Sequence, residues 1–226
     1  MAIALFDMDG TLFEGDSQLR FCRWVLRRHP WRRLHVLILL PAACAAPFLG
    51  GGSWLKRAFL TYACGLSRET LQAESRAFVQ QELLPALYPE LLARLRAHQA
   101  AGDETILCSA SPEWWAQEMG AALGFSRTLG TTVIMGARVP LFPRLAAPGN
   151  NKGHNKVLRL AAIGISRAEV GYTDSAADLP MLSLCRRAVL VNPSPALAAQ
   201  CPEAELLHPA RHLKQLRFVL GCLLGL

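Results

Sequence analysis

Ala2 to Phe6 is an uninterrupted apolar run, closed by Asp7-Met8-Asp9-Gly10-Thr11-Leu12. A short apolar run bounded by turn residues predicts a strand buried on both faces. From Ser17 to Arg28 the spacing changes to a helical one, with Leu19, Trp24, Val25 and Leu26 set among basic residues. Val36 to Leu55 carries no charged residue. Phe59 to Gln99 returns to helical periodicity, with Leu71, Phe78, Leu83, Leu87, Leu91, Leu92 and Leu95 as core positions. Glu104 to Cys108 predicts a second buried strand, followed by Ser109-Ala110-Ser111-Pro112, in which Pro112 suits the first turn of a helix. Val133-Ile134-Met135 and Arg138-Val139 predict a short hairpin. Then come a helix from Val157 to Ile163 stopped by Gly164, a strand from Glu169 to Thr173, and a helix from Ser175 to Leu184. A strand from Ala188 to Val191 and an apolar helix from Leu213 to Leu226 follow. Strand and helix alternate from residue 104 onward, which predicts an α/β fold with a doubly wound parallel sheet. Residues 1–16 and 100–226 make its core, and 17–99 form an all-helical insert.

Charge sharpens this division. The 226 residues carry a net charge of +7. Between Ser17 and Arg68 there are nine basic residues and no acidic one, which leaves −2 for the remainder. The insert therefore suits a phosphate-bearing or anionic-lipid partner. No nucleic-acid motif accompanies the charge. Seven cysteines show neither a C-x-x-C nor a metal-ligand spacing, a pattern of reduced thiols in a cytosolic compartment. The acidic pair arrives at position 7, so no signal peptide precedes the first strand.

The uncharged stretch within about 34–55 approaches the roughly 20 residues that cross a bilayer. Trp31 and Trp54 lie near its ends, arginines precede it and Lys56-Arg57 follow it. A single crossing would put Asp7 and the later polar groups on opposite sides, and is excluded if they share one site. A re-entrant hairpin broken near Pro41 and Pro47, an interfacial helix, or a hairpin buried in the insert are the arrangements left.

The candidate chemistry sits at strand ends. Asp7 and Asp9 place two carboxylates where open α/β sheets bind ligands, and that charge is costly without a cation. Ser109 and the backbone N–H groups at Ala110 offer a site for phosphate oxygens. Asn150-Asn151-Lys152-Gly153-His154-Asn155-Lys156 holds two of the chain's four lysines. A lysine between a phosphate and a carboxylate would neutralise both. Asp174 ends a strand, Ser175 follows it, and Asp178 lies one helical turn on, with both carboxylates on one face. Clustered hard oxygen ligands suit Mg²⁺ better than zinc.

In this order, the four pieces resemble the haloacid dehalogenase superfamily of phosphohydrolases, whose subfamily IB also inserts helices after the first motif. Gly153-His154-Asn155-Lys156-Val157 and the Leu-Pro stretch further resemble phosphatidylglycerophosphatase C-like proteins. The resemblance implies a haloacid dehalogenase-like Rossmannoid core with a helical cap. It implies a Mg²⁺-dependent phosphomonoesterase in which Asp7 is nucleophile and Asp9 general acid and base. Asp7, Asp9 and Asp174 would hold the metal, and Ser109, Ala110 and Lys156 the phosphate, supported by Asp178, Lys152 and Ser175. It also implies a lipid phosphate such as phosphatidylglycerophosphate at an anionic membrane surface, on the cytoplasmic face of a bacterial inner membrane. The alternative is a cytoplasmic phosphatase of a small metabolite, of the phosphoserine or histidinol phosphate type. Arg27, Arg28, Arg32 and Arg33 are candidates to gather an anionic headgroup.

Overall fold

Ile3–Phe6 forms strand β1, and its residues Ala4, Leu5 and Phe6 have no exposed surface. The structure, a computed structural model, describes residues 2–45 and 52–210. After β1 come helices α1 (Ser17–Arg28), α2 (Val36–Ala45), α3 (Gly52–Phe59), α4 (Arg68–Phe78) and α5 (Pro89–Ala100). Then follow β2 (Glu104–Pro112), α6 (Glu113–Leu123), β3 (Arg127–Thr131), β4 (Val133–Ile134), β5 (Arg144–Leu145) and α7 (His154–Ala162). The described chain finishes with β6 (Ala168–Thr173), α8 (Leu179–Leu182), β7 (Cys185–Val191), α9 (Pro195–Gln200) and β8 (Glu205–Leu207).

Six parallel strands pair in the order β3-β2-β1-β6-β7-β8. The chain leaves β1 for β2 on one side, turns back after β3, and resumes with β6 on the other side. That reversal opens a crevice at the carboxyl end of β1, the usual ligand position in such sheets. Parallel strands covered on both faces need continuous apolar runs, which is why β1 shows no alternation. On one face Phe6 stacks on Tyr172 with centroids 4.3 Å apart and meets the edge of His98 on α5. On the other face Leu5, Ile106 and Cys108 pack against Leu160 of α7 and Met181.

Local signals account for where helices between β1 and β2 begin. Asp16 caps α1 by accepting from the N–H groups of Gln18 and Leu19, and Ser67 caps α4 by accepting from Thr70. Phe21 on α1 packs between Phe78 of α4 and Trp115 of α6, at 5.1 and 4.5 Å between ring centroids. The apolar stretch becomes two helices, α2 and α3, packed on each other. Among the described residues no helix is long and apolar enough to cross a membrane.

Several expectations change. Lys56 and Arg57, expected to flank an interfacial stretch, hydrogen-bond to residues after β2: Lys56 Nζ donates to Asn150 Oδ1 at 2.8 Å and Arg57 Nε to the Pro143 carbonyl at 2.8 Å. Arg32, a candidate headgroup ligand, is buried and donates to the Tyr62 carbonyl at 2.8 Å. Val133–Ile134 pairs with Arg144–Leu145, not with 138–139. Val139 instead exchanges backbone hydrogen bonds with Gly65 and Leu66, tying the loop after β4 to the insert. The helix expected from Ser175 to Leu184 is a 3-10 turn at Ala176–Asp178 followed by α8. The expected helix from Leu213 to Leu226 lies outside the described residues.

Candidate active site

Asp7 is the first residue past β1, and its backbone N–H still donates to the Tyr172 carbonyl of β6 at 2.9 Å. The sheet therefore fixes the carboxylate at the crevice. Lys156 reaches it from the first turn of α7, with Nζ donating to Asp7 Oδ1 at 2.6 Å. The same ammonium donates to Asp178 Oδ2 at 2.7 Å, and Thr173 Oγ1 donates to that oxygen at 2.8 Å. Lys156 is 1% exposed, so this bridge is made out of water. Of the two loop lysines, Lys156 makes the contact. Lys152 is exposed, and its backbone N–H donates to the Asn150 carbonyl.

Asp9 has a different environment. The Ser17 N–H donates to its Oδ1 at 2.7 Å, and Ser111 Oγ donates to Oδ2 at 2.6 Å. Ser17 is in turn anchored by the Trp115 indole N–H at 2.8 Å. One carboxylate is thus bridged to an ammonium and its neighbour is held by neutral donors. Such a division fits a nucleophile and a proton carrier.

Asp174 follows β6 beside the turn at Gly10. A Cβ on Gly10 would lie 2.0 Å from Asp174 Oδ2, and Gly10 has φ +76°, so glycine alone permits this approach. The first and last acidic segments therefore do meet. Ser109 is buried at the end of β2, where its Oγ accepts from the Ser111 N–H at 3.0 Å. The Ala110 carbonyl accepts from Thr131 Oγ1 at 2.6 Å. Ser175 caps the turn after β6, its Oγ accepting from the Ala177 N–H at 3.3 Å.

The carboxylates of the cluster outnumber the Lys156 ammonium. Burial pushes Asp7 up to about 8; Lys156 pulls it down, while Asp178 and Asp174 push it further up. Burial, followed by the charge on Asp16, raises Asp9 to about 6. Burial, followed by Asp178 and Asp9, raises Asp174 to about 6. Burial works against the Lys156 ammonium, yet Asp7 and Asp178 together hold its pKa above that of an ordinary lysine. The ammonium stays charged, and the carboxylates around it resist ionising without further cationic help.

This donor set fits a hard divalent cation. Asp7 Oδ2 carries only a long hydrogen bond, from Thr11 Oγ1 at 3.4 Å, among those described. No three His, Cys, Asp or Glu side chains form a cage among the described residues. Two carboxylates and a main-chain carbonyl match Mg²⁺, which keeps several of its waters.

Residues 4–183 match the haloacid dehalogenase-like hydrolases. The chain belongs to that family. Phosphoserine phosphatase SerB1 of Mycobacterium tuberculosis is 29% identical over 217 residues, covering 89% of this chain and 68% of that one. Histidinol-phosphatase of Neisseria meningitidis serogroup C is 26% identical over 224 residues, covering 89% and 95%. A solved phospho-aspartyl intermediate analogue of phosphoserine phosphatase superposes with TM-score 0.60 at 13% identity over 96% of this chain and 97% of that one, a likeness of fold.

As a haloacid dehalogenase-like phosphatase, this chain holds groups that its motifs did not single out. Ser111 comes two residues after Ser109, where the pairing of β2 with β3 is irregular, and its N–H donates to Ser109 Oγ while its own Oγ turns to Asp9. Ser17 was legible only as a helix start. Asn151, fully buried, donates through Nδ2 to the carbonyls of Ser109 and Leu129, both at 3.0 Å, and so clamps the ends of β2 and β3. Nothing in a single sequence separates it from Asn150.

Crowding of the carboxylates predicts a stability effect. Asp174 has its pKa raised from 3.8 to about 6 by folding. Below pH 3.8 it is protonated in both states and contributes nothing. Between pH 3.8 and about 6 the unfolded state ionises while the folded one holds its proton, so the folded state becomes progressively costlier, reaching on the order of 2 kcal/mol once both states are ionised. In chelator-treated protein, Asp174→Asn should therefore raise Tm by roughly 5 °C at pH 8 and leave it unchanged near pH 4. Thermal unfolding at the two pH values checks this, and an equal effect at both would refute the crowding.

Proposed function

We propose that the protein hydrolyses phosphate monoesters in two steps through a phosphoaspartate on Asp7. The observation that carries this reading is the Lys156 bridge at 2.6 Å to Asp7, beside an Asp9 held by neutral donors. Asp7 attacks phosphorus, and Asp9 donates its proton to the departing alcohol oxygen. Asp9 then takes a proton from the water that attacks the phosphoaspartate, which releases phosphate and restores Asp7. Lys156, Ser109 and Ala110 would hold the phosphoryl oxygens, with Asp178 orienting Lys156. Asp7, Asp174 and the Asp9 carbonyl would hold Mg²⁺, which when bound offsets the repulsion between carboxylate and phosphate. The insert at 17–99 would act as the cap over this site.

For substrate, a small anionic metabolite phosphate is the better-supported choice. Relatives named phosphoserine phosphatase and histidinol-phosphatase match most of the chain. The basic residues after the apolar stretch are engaged with the core domain. A lipid phosphate is the second reading. It is favoured by the exposure of Trp31 at 64%, Leu34 at 65% and Leu37 at 69%, beside the exposed Arg33.

Phosphate release with Mg²⁺ across phosphoserine, histidinol phosphate and phosphatidylglycerophosphate in mixed micelles tests both readings. Turnover of a small ester at least about tenfold above the lipid is expected, a margin binding differences readily supply. A lipid preference would reverse the choice. No release from any ester would remove the phosphatase proposal.

A further inference from the structure

Lys56 takes no part in the chemistry above, yet its position is unusual. It belongs to α3 in the insert, but is only 8% exposed, and its described hydrogen bonds all cross to the core domain. Nζ donates to the Ala110 carbonyl, to Asn150 Oδ1 at 2.8 Å and to Thr131 Oγ1 at 3.4 Å. Each acceptor is neutral. The charges bearing on it are Asp9 after β1 and Asp16 at the start of α1, which attract, and Lys152 before α7, which repels. Burying an ammonium without a bonded carboxylate is expensive, and burial lowers its pKa to about 8.

The three acceptors lie on three separate segments: the end of β2, the end of β3, and the loop before α7. Thr131 reinforces the grip: its single hydroxyl proton goes to the Ala110 carbonyl at 2.6 Å, and the same oxygen lies 3.0 Å from Asn150 Oδ1. Ala110 follows Ser109 in the last part of β2, and the direction of its carbonyl fixes the orientation of the Ala110–Ser111 peptide. Asn150 immediately precedes Asn151, whose Nδ2 donates to the Ser109 carbonyl at 3.0 Å.

We propose that Lys56 is a positioning residue for phosphoryl transfer, gripping Ala110, Thr131 and Asn150 from the insert so that the phosphate-binding segment is set only when the insert is seated on the core. The inference rests on the phosphatase reading. Its consequence is that the insert shapes the phosphate pocket itself and not only the selection of the alcohol.

The test uses the full chain with p-nitrophenyl phosphate and Mg²⁺, and orthovanadate as inhibitor. Lys56→Met should lower kcat/KM by about 30-fold or more and weaken vanadate inhibition in parallel, within the range that misplaced groups produce. Lys56→Arg, which keeps the donors, should recover a substantial part of both. The wild type should lose kcat/KM as pH rises through about 8, where the ammonium deprotonates. Lys56→Met should lack that limb, whereas a limb set by Asp9 would persist in both proteins. Unchanged kcat/KM and vanadate affinity in Lys56→Met would overturn the proposal. So would an activity loss that Lys56→Arg does not relieve with the alkaline limb intact, the signature of a merely structural lysine. If Lys56→Met fails to fold, the wild-type limb and the Lys56→Arg kinetics decide. Absent turnover in the wild type would instead reject the phosphatase reading.

Discussion

Asp7→Asn is expected to reduce phosphate release by at least about 10⁴-fold while leaving the fold intact. An amide oxygen is a poor nucleophile, and removal of a covalent catalyst typically costs several orders of magnitude. The fold should survive because Lys156 retains its 2.7 Å bond to Asp178. Phosphate release and far-ultraviolet circular dichroism on the same preparation check both halves. Turnover within about tenfold of wild type would move the nucleophile elsewhere. The same account predicts a dependence on metal. Burial first, and then Asp178 and Asp174, push Asp7 upward against the pull of Lys156, so without a metal the attacking carboxylate resists ionising. Chelation should abolish turnover and Mg²⁺ should restore it, by stabilising the ionised form of the attacking group.

Lys156→Met should cost more stability than any other single change in the site. It leaves Asp7 and Asp178, 6% and 2% exposed, beside each other with no ammonium between them. Breaking a buried ion pair from one side costs about 3–5 kcal/mol, which lowers Tm by roughly 10 °C in a chain of this size. The sign of the pH dependence follows from the shifts. Lys156 has a folded pKa above its unfolded value of 10.5, so its contribution is fully present below pH 10.5 and is lost only as pH rises through the folded value. Between pH 5 and 9 the deficit of the variant is therefore governed by the stranded carboxylates. With Lys156 gone nothing pulls Asp7 back down, so it stays protonated at pH 5 and ionises only as pH climbs past about 8; the loss in Tm should be smaller at pH 5 than at pH 9. Melting curves at both values test this, and a larger deficit at pH 5 would contradict the ion-pair geometry.

What the sequence made legible follows from how local each signal is. The apolar run before Asp7 and the capped helix from Ser17 to Arg28 are specified by neighbours in the chain, and both stand in the structure within one residue of their expected bounds. The convergence of Asp7, Lys156 and Asp178 was reachable because each sits at the end of an element whose order fixes its place on the sheet. Lys56 was not reachable. A lysine after an apolar stretch reads as an interfacial anchor, and only tertiary packing reveals that it is buried against Ala110 and Asn150. Arg32 misled for the same reason, since a run of arginines does not say which member turns inward. The partner of Val133–Ile134 was missed because 138–139 is nearer in sequence. The loop is longer than that, and Val139 is claimed by Gly65 and Leu66 of the insert.

A quench experiment addresses the central claim most directly. Enzyme with p-nitrophenyl phosphate and Mg²⁺ is stopped in acid during turnover, reduced with borohydride, digested, and sequenced by mass spectrometry. Borohydride converts an acyl phosphate to an alcohol, so the account predicts homoserine at position 7 and nowhere else in the chain. A modified residue at Asp9, Asp174 or Asp178, or a stable phosphoryl group on Ser109, would contradict it.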